Sequence, residues 1–398
     1  VIVDREVAID RAAPHPRGRQ YRACIDVDPQ HLAPVTAGDP RLGFTAWHAA
    51  ALSTSSVTID PAVAQRRVGR VSRLDRGWST VLVSVDSSPL RVRNIGADVA
   101  VGDWVVVDAA GDRVEAVVER RSAFTRRASF EGNRAVAHTI AANIDVVGLV
   151  HALTSPPNQR RLERELVLAF DSGARPVIVL TKADLVDDVA AHVAAIDAVA
   201  VGVPVLVVSG RTNDGVERLR AALGEHETMA LLGASGVGKS TLINALVGGS
   251  ALRTGLVRDH DQRGRHTTTA VELVALPDAP AGWLIDTPGV RAVSLWSSGH
   301  GIERAFVDVF DLADRCRFRD CKHDDEPGCA VRAAIADGTL DPRRLDAMAR
   351  LVAEEAALED EQLAQERALD RRRTERARRS QRRADARDEA HEAALDDG

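Results

Sequence analysis

Gly233-Ala234-Ser235-Gly236-Val237-Gly238-Lys239-Ser240 satisfies the pattern G-x-x-x-x-G-K-[ST] at every position. Apolar Met229–Leu232 enters it as a strand and Thr241–Val247 leaves it as a helix, the context this chemistry requires. Such a loop holds phosphate with backbone N–H groups and the positive end of the following helix. The glycines let the backbone approach the anion. The Lys239 ammonium faces the β- and γ-phosphates, and the Ser240 hydroxyl is a ligand for Mg²⁺.

A base reader is legible as well. Thr181-Lys182-Ala183-Asp184 follows the apolar run Pro176–Leu180. The two oxygens of Asp184 can accept the N1–H and N2–H₂ pair of guanine, which adenine lacks. A carboxylate left unpaired by the wrong base rejects it strongly. Lys182 would lie along the base, and Ser209, at the end of Val205–Val208, is placed to offer a backbone contact to the guanine carbonyl. Thr181 stands where many GTPases carry Asn. A lone T-K-x-D also fits a helix cap; the strand ahead of it favours the base reader.

Two further elements follow the phosphate loop. His266-Thr267-Thr268-Thr269 closes a segment rich in Gly, Arg, Asp and His, as expected of a segment that orders around GTP. Thr268 is the candidate to reach Mg²⁺ and sense the γ-phosphate. Asp286-Thr287-Pro288-Gly289 ends the apolar run Trp283–Ile285. There Asp286 can hold Mg²⁺ through water and Gly289 can give an N–H to the γ-phosphate. Taken alone, D-x-P-G fits an ordinary turn; after the loop and the threonines it reads as a switch. The next residue is Val290, where Ras-type enzymes use Gln to orient water, so unassisted turnover should be slow. His266 is the nearest polar group for that task, with a surface histidine as the alternative reading.

In an ordinary GTPase the guanine reader comes last. Here it comes first, so the domain reads as circularly permuted.

Cys316-x4-Cys321-x-His323-x5-Cys329 brings three thiolates and an imidazole into one short stretch. This is a closed tetrahedral set for one structural zinc. The surrounding residues are small, charged and turn-forming, so metal binding should supply much of the local folding energy. No C-x-x-C redox pair is present, and Cys24 stands alone in an irregular stretch.

These groups need scaffolds. The chain has 398 residues, 45% of them hydrophobic and 3% aromatic, with a net charge of −6. Two to three domains are expected, without a whole-chain attraction to nucleic acid. No apolar run of membrane-spanning length and no signal peptide is evident, which together with the cysteine usage points to the cytoplasm. Short alternating runs between Arg67 and Val118 predict a small β-barrel of the five-stranded OB type; Trp78 and Trp104 are too few to establish a base-stacking platform. Residues 121–140 read as a basic, loop-like linker. Strands are predicted at Ile144–Val150, Pro176–Leu180, Val203–Val208, Met229–Leu232, Val271–Leu276 and Trp283–Ile285. Helical segments alternate with them, giving a mostly parallel sheet covered on both faces. Beyond Asp341 the composition is helical. Between Arg371 and Arg387 nine arginines face Glu375 and Asp385, a local balance of +7. That tail reads either as an rRNA phosphate contact or as a solvated helix.

The permuted motifs, the preceding barrel and the cysteine–histidine cluster together resemble the ribosome small-subunit-dependent GTPase family, RsgA or YjeQ, over about residues 66–350. The resemblance implies a monomeric GTP hydrolase, binding GTP and GDP, that acts late in small-subunit assembly, contacts rRNA and turns over faster on the subunit. It also implies a catalytic role for His266. The expected layout is a partly disordered extension (1–65), an OB-type barrel (66–120), a linker (121–142), the permuted P-loop GTPase domain (143–298), a zinc-binding helical domain (299–350) and a charged, arginine-rich helical tail (351–398). A GTP-gated rRNA scaffold with incidental hydrolysis is the alternative. A P-loop ATPase or kinase is disfavoured by Asp184.

Overall fold

Most of the apolar runs become strands of one eleven-stranded mixed sheet. In the computed structural model the described residues are 38–54, 66–126 without 95 and 97, 138–251, 271–277, 282–286 and 300–396. The sheet begins with β1 (Arg67–Asp75), β2 (Trp78–Leu82), β3 (Leu90–Arg93), β4 (Trp104–Val107) and β5 (Val114–Val117). β1 pairs antiparallel with β2 and β4, β2 with β3, and β4 with β5. A parallel bridge between Arg93 and Arg113 joins the end of β3 to the start of β5. Val71, Val81, Val92, Val105, Val107 and Val114 fill the space these strands enclose. Gly69 is required there, because a Cβ would come within 2.4 Å of the Val81 side chain.

The second half of the sheet is built from β8 (Val146–Ala152), β9 (Arg175–Thr181), β10 (Val205–Val207), β11 (Thr228–Gly233), β12 (Glu272–Ala275) and β13 (Trp283–Asp286). Their spatial order is β10-β9-β8-β11-β13-β12, and β12 continues onto β1. The first five are parallel and β12 is antiparallel. Parallel strands buried on both faces need continuous apolar runs, and β8, β9 and β11 are such runs. The crossovers carry α2 (Gln159–Asp171), α3 (Val189–Asp197) and α4 (Val216–Ala221). From β8 the chain steps outward through β9 to β10, then returns to the other side of β8 as β11. That reversal makes a crevice at the carboxyl ends of β8 and β11, where open α/β sheets bind ligands.

Two stretches differ from the sequence reading. The expected loop-like linker holds a two-stranded ribbon, β6 (Ala123–Arg126) with β7 (His138–Ala142). It forms because Phe124, Ala141 and Ala142 are buried, a gain that the basic composition around them conceals. Part of the expected N-terminal extension is folded. Residues 38–54 form a 3₁₀ turn at Pro40–Leu42 and helix α1 (Ala46–Thr54). Leu42 is fully buried and Phe44 meets Trp104 edge-on at 4.9 Å. Residues 1–37, including Cys24, and 55–65 lie outside the described residues.

Arg70 of β1 locks these parts together. It is 1% exposed and donates to the Leu42 carbonyl (2.6 Å), the Asn143 carbonyl (3.1 Å) and the Thr228 hydroxyl (2.7 Å). Burial, followed by repulsion from Arg121, lowers its pKa to about 9. The hydrogen bonds to carbonyls spread its charge, and the Asp103 carboxylate acts against the lowering.

The C-terminal helices are α6 (His300–Ala305), α7 (Val307–Ala313), α8 (Ala330–Ala336) and α9 (Pro342–Asp396). α6 packs directly on α2: Gly301 donates its N–H to Asp171 at 2.7 Å, and a Cβ there would lie 2.5 Å from the Val167 carbonyl oxygen. No helix among the described residues is long and apolar enough to cross a membrane.

Candidate functional site

The two halves of the predicted nucleotide site meet at the carboxyl ends of the central strands. The Thr181 hydroxyl donates to the Val237 carbonyl at 2.5 Å and lies 3.2 Å from the His151 carbonyl. It therefore ties the end of β9 to the phosphate loop. Gly238 has φ +98°, a left-handed conformation, and faces Thr181 at ordinary contact distance. Gly233 lies against Val150 of β8, where a Cβ would be 2.4 Å from the carbonyl oxygen. Gly233 is required for close approach, and both glycines take backbone angles that other residues adopt at a cost.

α5 (Lys239–Ala251) begins at the lysine itself, two residues before the predicted start. Ser240 and Thr241 consequently sit in its first turn, where backbone N–H groups have no partner in the helix. The Lys239 ammonium donates to the carbonyls of Gly233 (2.7 Å) and Ala234 (2.8 Å), so it folds back over the loop. Asp286 ends β13, and its carboxyl pKa is raised, first by burial and then by Glu272, with Lys239 acting in the opposite direction. A cation beside this carboxylate would favour its charged form, so Asp286 fits the Mg²⁺ role.

On the base side, Lys182 has φ +61°, a left-handed conformation uncommon for a residue with a side chain, of the kind that collects at ligand sites. The Ser209 hydroxyl, in a residue 1% exposed, donates to Asp184 Oδ1 at 2.7 Å and accepts from the N–H groups of Arg211 and Thr212. Ser209 therefore aims the carboxylate through its side chain. Asp184 keeps 16% of its side chain exposed, with the Arg211 guanidinium 4.0 Å from Oδ2.

Cys316, Cys321, His323 and Cys329 place their ligand atoms within 4.8 Å of one another. A tetrahedral zinc with bonds of about 2.3 Å to sulfur and about 2.0 Å to nitrogen needs edges of roughly 3.5–3.8 Å. The observed edges are 3.9 Å from Cys316 to Cys329, and 3.7 and 3.5 Å from these sulfurs to His323 Nδ1. Burial pushes the Cys321 thiol up to about 11, and the neighbouring Cys329 and Cys316 add to the rise against N–H donation from His323. For Cys316 burial acts upward, but N–H donation from Val331 and Ala330 outweighs it and lowers the pKa. Three thiols crowded this way call for a cation. The donor set fits zinc.

The RsgA GTPase family model matches residues 117–296. The small ribosomal subunit biogenesis GTPase RsgA of Streptomyces coelicolor is 43% identical over 302 residues, covering 72% of this chain and 80% of the relative. Its namesake from Mesorhizobium japonicum is 40% identical across 78% of this chain and 89% of its own length. The chain belongs to the RsgA GTPase family. As a member it is a GTP hydrolase. YjeQ from Thermotoga maritima, a solved structure, superposes with a TM-score of 0.55 at 26% identity, covering 73% of this chain and 99% of that one. YloQ, described as a circularly permuted GTPase, gives 0.52 at 25% identity, covering 73% and 96%. The reversed motif order is thus a property of the fold this RsgA-family chain shares.

Gly233 to Thr241, Thr181, Lys182, Asp184, Ser209 and Asp286 are gathered on one edge of the sheet. His266, Thr267, Thr268, Thr269, Gly289 and Val290 lie outside the described residues. Sequence reasoning missed the loop after β10. Gly210 lies where a Cβ would be 3.1 Å from Thr241, so this loop abuts α5, and Gly215 turns with φ +74°. The signal was available: a strand followed by Ser-Gly-Arg and then Asp-Gly. It also left Trp78 and Trp104 undivided. Trp104 is fully buried, whereas Trp78 lies under Arg93 (5.1 Å) and Arg91 (5.4 Å) on the outer face of β2–β3.

Proposed function

We propose that this RsgA-family protein binds GTP between Asp184 and the phosphate loop, hydrolyses it during small-subunit assembly, and turns over faster when bound to the subunit. The Thr181–Val237 hydrogen bond carries the reading, since it makes base reader and phosphate cradle one unit. Asp184 pairs with the guanine edge, held in place by Ser209, while Lys182 lines the base. The loop amides from Ala234 to Gly238 and the first turn of α5 take the phosphates. Lys239 leaves its two carbonyls for the β/γ-phosphates. Ser240 and Thr268, with Asp286 through water, would hold Mg²⁺, and that ion would offset charge on the β/γ-oxygens. Thr268 also senses the γ-phosphate, Gly289 gives it an N–H, and His266 positions water. Cys316, Cys321, His323 and Cys329 hold one structural zinc.

The pairing of β1 with β2 and β4, together with the β3–β5 bridge, supports an OB-type barrel. Trp78 between two exposed arginines supports rRNA as its partner. The division into extension, barrel, linker, permuted GTPase, zinc domain and tail is kept, as is a cytoplasmic monomer.

Two results are expected. Asp184→Asn should move preference from guanosine to xanthosine triphosphate, because the amide donates where the carboxylate accepted; relative affinities for both nucleotides measure it, and an unchanged ranking removes Asp184 as the base reader. Added small subunits should raise turnover at saturating GTP by at least tenfold. Turnover indifferent to subunits leaves a GTP-gated scaffold instead.

A further inference from the structure

Among the described side chains, those of α9 that pack on the core reach Leu358, and the helix continues to Asp396. Its first turns are fixed by ion pairs from Arg344 to Asp308 (2.6 Å), Arg350 to Glu163 (2.9 Å) and Glu354 to Arg164 (2.6 Å). Leu351 is still buried, but Val352 and Leu363 are 46% and 48% exposed. The helix then runs on to Asp396, about 60 Å past Glu354 at 1.5 Å per residue.

The charge changes sign along this rod. Acidic residues dominate from Glu354 to Glu361, whereas nine arginines against two acids occupy 371–387. Five of those arginines, at 372, 376, 379, 383 and 387, recur at spacings of four, three, four and four. Positions at these spacings share one face of a helix, about one arginine per turn. Positions 374, 378, 381, 385 and 388 on the opposite side are Thr, Arg, Gln, Asp and Asp. The side opposite the stripe has no large apolar residue, so it offers no seam for a partner helix and no face for a bilayer. Beyond residue 350 there is also no Phe, Trp or Tyr, so unpaired bases have nothing to stack on. A regular line of cations without aromatics or apolar residues is complementary to a regular line of phosphates.

We propose that the arginine stripe of α9 binds the phosphate backbone of a double-helical RNA stem, about 27–50 Å beyond Glu354 along the helix. The idea rests on the subunit reading only for which stem is bound. Its test needs no ribosome.

Full-length protein is titrated onto a blunt RNA duplex of about sixteen base pairs, the span over which duplex RNA is read by shape, across a range of KCl. Unsubstituted protein is compared with a variant carrying R372Q, R376Q, R379Q and R383Q, and with one carrying lysine at the same four positions. The glutamine variant is expected to bind at least tenfold more weakly at 0.1 M salt, with the log–log salt slope flatter by about three, close to one per lost phosphate contact. The lysine variant should keep the slope within about one unit, and basal GTP turnover should be the same in all three. Far-UV circular dichroism checks that the helix persists; if glutamine unfolds it, the lysine variant decides. Equal slopes for glutamine and unsubstituted protein, loss of slope with lysine, or tighter binding to polyglutamate or to single-stranded oligouridine would each overturn the proposal.

Discussion

Replacing Lys239 with alanine should lower the rate of GTP hydrolysis by at least about 10²–10³-fold, about 3–4 kcal/mol of transition-state stabilisation. The argument starts from where the ammonium sits. It folds over the loop onto the carbonyls of Gly233 and Ala234, at the point where β11 ends and α5 begins. Those carbonyls hold the cation above the cradle, with the Asp286 carboxylate near enough to feel its charge. When the phosphates enter, the ammonium exchanges neutral acceptors for anionic ones, and charge-assisted hydrogen bonds are the stronger kind. Charge building on the β/γ-oxygens therefore meets a cation already in place, at little reorganisation cost. Arginine should not rescue the loss, because its planar fork cannot follow a compact ammonium through a loop crowded by Val150 and Thr181. Single-turnover rates at saturating GTP test this, with thermal melts as the control for folding. A loss below tenfold with intact GTP affinity would mean that Lys239 contributes ground-state binding alone. Ser240→Ala should behave similarly, since it removes a hydroxyl from the same first helical turn.

The parts of this site that the sequence revealed are those in which local chemistry leaves few choices. A loop of glycines between an apolar strand and a helix has one well-known use. Strands β8, β9 and β11 were legible because burial on both faces demands uninterrupted Val, Leu and Ile. What stayed hidden depends on partners distant in the chain. Leu42 and Phe44 lie among Pro, Arg and Gly with no period to betray them, yet they are buried against Trp104 and the sheet. Arg70 looks like an ordinary strand arginine until Asn143 and Thr228 are brought to it from far along the sequence. The sequence suggests a backbone contact from Ser209 to the guanine carbonyl but not that its hydroxyl orients Asp184. That assignment needed the end of β10 beside the end of β9, which is information about parallel pairing. The β6–β7 ribbon was masked by basic residues because its burial comes from Phe124 and the alanines opposite it.

Removing the metal from the cysteine–histidine cluster should have the largest effect on stability, and Cys329 separates its causes. Apart from the cluster, the segment between α7 and α8 is held mainly by turns and by polar bonds such as Arg332 to the carbonyls of His323 and Asp324. Cys316, His323 and Cys329 meet at distances suited to a tetrahedral ion with Cys321 beside them, and structural zinc contributes on the order of 10 kcal/mol or more to such segments. Chelation is therefore expected to release residues 316–332 as a unit, while β8, β9 and β11 keep their protection. Cys329 has two expected jobs: its sulfur is one of the four candidate metal donors and also the N-cap of α8, accepting from the Arg332 N–H at 3.4 Å. Serine can still cap a helix, so Cys329→Ser should remove the metal and spare the cap. Cys329→Ala should lose both, with a further destabilisation of about 1 kcal/mol. Hydrogen exchange at Ala330–Ala333, measured with metal content in the same samples, tests the separation. Because α7 and α8 lie between the α6–α2 contact and the Arg344–Asp308 anchor of α9, the serine variant should also weaken docking of α9 on α2. Unchanged exchange in a metal-free preparation would show that the segment folds on its polar contacts alone.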